Sequence, residues 1–185
     1  MYDKNNKLTP VTLISVGPCV VLQKMGKEKE GYSALQIGFE KIEKKSKIGK
    51  SMKGKEYRYI KECRTEENET LNVGDEINAS TFEEGQIVKV VGISKGKGFQ
   101  GGVKRHGFHG RNATHGVKHE HRTIGSTGTR FPQHVMKGRR MPGRMGSDQV
   151  TVKNLKIMRV DKENNLLVIK GAVPGTVRTL LEIKG

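Results

Sequence analysis

No window of the 185-residue chain approaches eighteen apolar residues, so there is no material for a membrane-spanning helix. The N-terminus, MYDKNNKLTP, lacks both the basic start and the apolar run of a signal peptide. Cysteine is nearly absent. Cys19 and Cys63 each sit in a strand-like run (PCVVL and YIKECR) with no CxxC pair and no histidine pair nearby, which supports neither a disulfide framework nor a zinc knuckle. Both are expected to be reduced and structural, in a soluble intracellular protein. Sustained helical periodicity is missing as well. Acidic residues are few, 19 Asp plus Glu against 35 Lys plus Arg, giving a formal charge of +16 and a pI near 9.9. An excess of that size calls for a polyanionic partner, and with membrane segments lacking, the partner expected is nucleic acid.

The shortage of acids is concentrated. Residues 94 to 146 hold twelve Lys or Arg, all six histidines, twelve of the 24 glycines and one acid, Glu120, so this window carries +11 of the +16. Within it, KGKGFQGGVKRHGFHGRNATHG (95 to 116) offers only Phe99, Phe108, Val103 and Ala113 as apolar material. Ordering each residue costs roughly 1 to 2 kcal/mol of backbone entropy, more than such a stretch offsets by burial, so what orders it is expected to lie outside the chain.

The rest of the chain reads as β. VTLISV (11 to 16), CVVLQ (19 to 23), SALQIGF (33 to 39), YRYIKEC (57 to 63), QIVKVVGI (86 to 93), VTVKNLKIMRV (150 to 160), NLLVIKG (165 to 171) and LLEIK (180 to 184) are short runs rich in β-branched residues, punctuated by Gly, Pro, Asn and Asp. RVDKENNLLVIKG is the clearest hairpin. Strands this short and closely spaced predict a mostly β fold, a small antiparallel β-barrel with a long basic, glycine-rich loop extension. The predicted body is 1–93 with 147–185, and 94–146 is a loop inserted between two neighbouring strands. A second basic run, KIEKKSKIGKSMKGKEYR (41 to 58), fits a solvated loop and a phosphate contact equally well.

Three kinds of chemistry can be weighed in the insert. GKGFQG (96 to 101) matches GxGxxG after a predicted strand, but no amphipathic helix and no acidic residue in the right place follow, which excludes a dinucleotide site. His106 and His109 (HxxH), His119 and His121 (HxH), His115 and His134 supply imidazoles for a metal. Against that stand a single carboxylate, no cysteine, and the repulsion of Lys104, Arg105, Arg111, Lys118 and Arg122, so no metal or other cofactor is expected. No paired carboxylates or activated nucleophile appear, which argues against an enzyme. What remains suits RNA: imidazoles that stack or donate to phosphate, and glycines that let the backbone come close. In VMKGRRMPGRMG (135 to 146), arginines that fork onto phosphates alternate with Met136, Met141 and Met145, which either wedge into RNA grooves or pack on the body.

PVTLISVGPCVV, SKGKGFQGGVKRHGFHG, the THG and HR that follow, GSTGT, MKGRRMPGRMG, VTVKNLKIMRVD and NLLVIKGAVPG, in this order, resemble the bacterial-type family of large-subunit ribosomal protein three along essentially the whole chain. The resemblance implies a β-barrel body on the outside of the large subunit and a loop following rRNA inward toward the peptidyl transferase centre. It also implies early assembly near the 3′ end of the rRNA, neighbouring ribosomal proteins as further partners, and a ribosome in the cytoplasm, with an organellar ribosome as the alternative. Two departures stand out. The resemblance implies a glycine- and lysine-rich opening segment ending in GMT before the residues matching Met1 to Asp3, and this sequence opens at those residues. In some bacterial members the residue after GSxG is a glutamine methylated on its amide; Thr129 stands there and cannot carry that group, and Gln133 is out of register.

The expected function is therefore structural: binding of large-subunit rRNA, with no membrane partner. The contact residues expected are Lys95, Lys97, Lys104, Arg105, His106, His109, Arg111, His115, Lys118, His121, Arg122, Arg130, Lys137, Arg139, Arg140 and Arg144, with Thr129 and Arg130 at the loop tip near the peptidyl transferase centre. The alternatives are a non-ribosomal RNA-binding protein, such as an RNA or DNA chaperone, and an RNA-modifying enzyme with a basic substrate loop.

Overall fold

Branched aliphatic residues between glycine, proline and asparagine breaks favour short extended segments, and the chain follows that rule. A computed structural model describes residues 1, 2, 6–44, 48–64 and 71–185. It is mostly β, with antiparallel sheets, one of them curled into half a barrel, and little helix. The elements are β1 (Val11–Ser15), β2 (Cys19–Met25), α1 (Lys27–Glu30), β3 (Ala34–Lys41), β4 (Tyr57–Arg64), β5 (Glu76–Ile77), β6 (Ile87–Ile93), β7 (Gly98–Gln100), α2 (Gly102–His106), β8 (Gly143–Met145), β9 (Gln149–Asp161), β10 (Leu166–Lys170) and β11 (Leu181–Lys184). Every run expected to be a strand is one, with ends displaced by a residue or two. Lys45 and Lys47 of the second basic run lie outside the described residues.

One sheet has the order β1-β10-β9-β6-β11, a second β4-β3-β2-β5, and β7 pairs with β8 in a ribbon. The β9–β10 hairpin forms as the sequence suggests. Asp161 Oδ1 accepts from the main-chain N–H groups of Glu163 and Asn164, both at 3.1 Å, and Asn165 closes the turn at φ +50°. In the second sheet β3 pairs with β4 from Ala34 opposite Arg64 to Lys41 opposite Tyr57. Gly38 is required there: a Cβ would lie 2.7 Å from the Tyr57 ring and 2.9 Å from Leu22. Fully buried side chains include Val21, Leu35, Val88, Val90, Ile157, Leu167 and Ile169, all on strands. β6 alternates for part of its length, Val88 and Val90 inward and Ile87 and Lys89 outward, as a half-covered strand does.

Contacts gather the chain into two compact units, one of residues 1–89, 153–173 and 183–185, the other of 90–152 and 174–182. The second contains the whole of 94–146 and is wider than that segment. It adds the end of β6, the start of β9 and the turn at 174–182, which meet closely: a Cβ on Gly92 would lie 2.6 Å from Leu181 and 3.0 Å from Pro174. β6 and β9, from which the 94–146 segment leaves and to which it returns, are neighbours in their sheet.

Candidate nucleic-acid interface

The neck of the segment is stitched by main chain. Ser94 N donates to Asp148 O at 2.9 Å, Ser147 N to Ser94 O at 3.3 Å, and Lys97 N to Met145 O at 2.9 Å. The β7–β8 ribbon follows, pairing Gly98 with Met145, Phe99 with Arg144 and Gln100 with Gly143. Gly146 has φ +79°, and a Cβ there would lie 2.1 Å from Lys95 O, so only glycine fits.

Next comes α2, one turn of helix capped by Gly107 at φ +73°. Gly102 is the one residue of 94–146 that is fully buried; a Cβ on it would run into Ile124 at 2.5 Å and Phe108 at 2.7 Å. This small apolar contact orients the two bases that follow. Arg105 turns inward, its Nη1 donating to Met141 O at 2.7 Å, and the His106 ring nitrogen lies 3.1 Å from the same oxygen. A Cβ on Gly143 would sit 2.6 Å from that guanidinium, so a glycine clears its path.

Beyond the helix, Arg111 N donates to His121 O at 3.2 Å, and Gly110, at φ +76°, passes so close that a Cβ would lie 2.1 Å from that oxygen. Arg111 and Glu120 form an ion pair between side chains that are 59% and 54% exposed, which makes it a weak contributor to stability. His121 Nδ1 is buried without a hydrogen-bond partner. Further out, Arg139 Nη2 donates to Ser126 O at 2.7 Å, and Thr129 Oγ1 to Phe131 O at 2.6 Å. The Arg130 guanidinium lies 5.7 Å from the Phe131 ring centre, and every residue from 128 to 140 is exposed.

Local turns, main-chain bonds and the small contacts of Gly102, Phe108 and Ile124 therefore shape the segment, where burial of a core would normally do so. Eleven of its twelve Lys and Arg side chains are exposed: Lys95, Lys97, Lys104, Arg111, Lys118, Arg122, Arg130, Lys137, Arg139, Arg140 and Arg144. Arg105 is the exception, half-buried on Met141. His109 and His115 are exposed, whereas His106 and His121 are half-buried. Met136 is exposed and Met141 and Met145 are half-buried, so the three methionines do not share one role. Among the described residues no three His, Cys, Asp or Glu side chains gather in a way that could hold a metal ion, and no helix is long and apolar enough to cross a membrane. Phe99 and Phe131, absent from the contact residues expected from sequence, are both largely exposed, 77% and 67%.

The family model described as Ribosomal protein L3 matches residues 60–166. The large ribosomal subunit protein uL3 of Carboxydothermus hydrogenoformans is 48% identical over 191 aligned positions, which cover the whole chain and 90% of the relative. The protein of the same name from Pelotomaculum thermopropionicum is 49% identical over 191 positions with the same coverage, and that of Heliobacterium modesticaldum 48% over 190. A mostly β chain with a basic, glycine-rich segment, matched in this way along its length, is a ribosomal protein, a structural constituent and not an enzyme. It belongs to the ribosomal protein L3 family, as MKGRRMPGRMG and KGAVPG suggest.

Proposed function

We propose that the chain binds large-subunit rRNA in the cytoplasmic ribosome, entering assembly early near the rRNA 3′ end, with neighbouring ribosomal proteins against its body. Residues 94–146 are the extension that threads between RNA helices toward the peptidyl transferase centre, with Thr129 and Arg130 at its tip. The observation that carries this reading is the electrostatics of the extension: eleven exposed bases face solvent, while its one acid, Glu120, is already paired with Arg111. Phosphates neutralised by these bases release their condensed counterions, which supplies the free energy. The glycines at tight approaches, Gly110 and Gly146, let the two limbs of the extension lie closer than any side chain would permit, as a strand between RNA helices requires.

The test is the salt dependence of binding between the isolated protein and transcribed large-subunit rRNA. With roughly six to ten phosphate contacts, affinity falls by about 10³ to 10⁵ between 50 and 200 mM salt. A flat response removes the mechanism.

A further inference from the structure

Phe99 is 77% exposed, more so than Phe131, Val135 or Met136 elsewhere in the same extension. A phenylalanine left in water forgoes the gain of burial, so its position on a paired strand is noteworthy. It sits at the centre of β7, directly opposite Arg144 on β8, and directly opposed residues of an antiparallel pair project from the same face. Arg144 is exposed too. The ribbon beneath them is held at one end by the Lys97 N to Met145 O bond and by the Gln100 side chain, which donates to Lys97 O. Gly98, at φ +67°, takes the left-handed conformation that glycine adopts without steric cost. The result is a flat aromatic face and a planar cationic fork, side by side on one face of the ribbon.

We infer that Phe99 is a stacking platform for one unpaired base of the bound rRNA, with Arg144 forking onto the phosphate beside it. A base within a duplex has both faces covered, so the ring selects a bulged or single-stranded nucleotide, and the stacking tolerates any base because each presents a π-face. Arg144 supplies the charge complement, in a segment whose only acid is Glu120. The inference rests on the rRNA-binding reading above and deepens it: contacts to phosphate alone would not distinguish paired from unpaired RNA, whereas this pair does.

The chain contains no tryptophan, so F99W places the sole tryptophan at the site. The full-length protein and its F99W, F99L and R144A variants are titrated with transcribed RNA from the 3′ region of large-subunit rRNA. F99W, which keeps a π-face, should have its emission quenched at saturation. F99L, which keeps the bulk but not the π-face, should bind roughly 5- to 100-fold more weakly with an unchanged salt slope. R144A should lower the slope by about one. F99L binding within twofold of the parent, or F99W emission unaltered by saturating RNA, overturns the inference while a steep salt slope leaves the rRNA-binding reading standing. No binding by the parent removes both. A merely structural role for Phe99 would weaken F99L without quenching F99W, so the emission separates the two.

Discussion

Arg105 Nη1 donates to the Met141 carbonyl at 2.7 Å, joining positions 36 residues apart, and His106 reaches the same oxygen. Of the segment's twelve Lys and Arg side chains this is the one that is half-buried, and that separates it from its neighbours in a measurable way. R105A should leave the salt slope of RNA binding unchanged while speeding hydrogen exchange in the β7–β8 ribbon. R144A, on the exposed face of that ribbon, should do the reverse, lowering the slope by about one and leaving exchange alone. Equal loss of slope in both variants would show that Arg105 turns out to meet RNA.

Two glycines separate the cost of backbone conformation from the cost of space. Gly125 has φ +74° with nothing within 4 Å of its missing Cβ, so G125A should cost only the left-handed penalty, about 1 kcal/mol. Gly146 has a similar φ, and a Cβ there would also lie 2.1 Å from Lys95 O. G146A should therefore open the neck at a cost larger by about 1 kcal/mol or more, read as faster exchange at the Ser94, Lys97 and Ser147 amides. Similar exchange in the two variants would mean that the neck gives way without cost.

The RNA-free protein should be cut first in its outer extension. Arg105 and Arg111 lie in stretches tied by main-chain and side-chain bonds, whereas residues 128 to 140 are exposed throughout. Brief trypsin treatment is expected to cleave at Arg130, Lys137, Arg139 and Arg140 before Lys95 or Lys97, and the same bonds should resist in the assembled subunit. Because Gly102 is the one fully buried residue of 94–146, a variant with 95–146 replaced by a short turn should keep a cooperative melting transition. Uniform protection across the free protein would sink the idea that RNA orders the extension.

Asp161 gives the β9–β10 hairpin a pH dependence of known sign. Donation from Asn164, by side chain and main chain, holds its carboxyl below the ordinary value, so folding favours the ionised form. Its contribution is full above the ordinary carboxylate range and is lost as pH falls through the lowered value. The melting-temperature difference between the parent and D161A should stay constant above about pH 5 and shrink below about pH 4. A difference that does not change with pH would assign the turn's stability to something other than the carboxylate.

The strands were legible because each is a run of Val, Ile and Leu between breakers, a pattern that survives at the scale of five to thirteen residues. β7, β8 and α2 were not, since three to five residues carry no measurable period and glycine dominates them. The basic character of the extension was plain from charge alone. That Arg105 and His106 face inward was not, because the carbonyl they share belongs to Met141 and only the folded chain brings it near. The close approaches at Gly92 and Gly175, which draw 174–182 into one compact unit with 90–152, leave no mark on composition.

Because Ser94 and Asp148 are hydrogen-bonded and β6 and β9 lie side by side, the extension begins and ends at nearly the same point in space. A detour with coincident ends is decoupled from the platform that bears it: for a flexible loop, doubling the length adds only about 0.6 kcal/mol of closure entropy. Lengthening or shortening residues 94–146 therefore costs little in closure entropy, because the two ends already meet at Ser94 and Asp148.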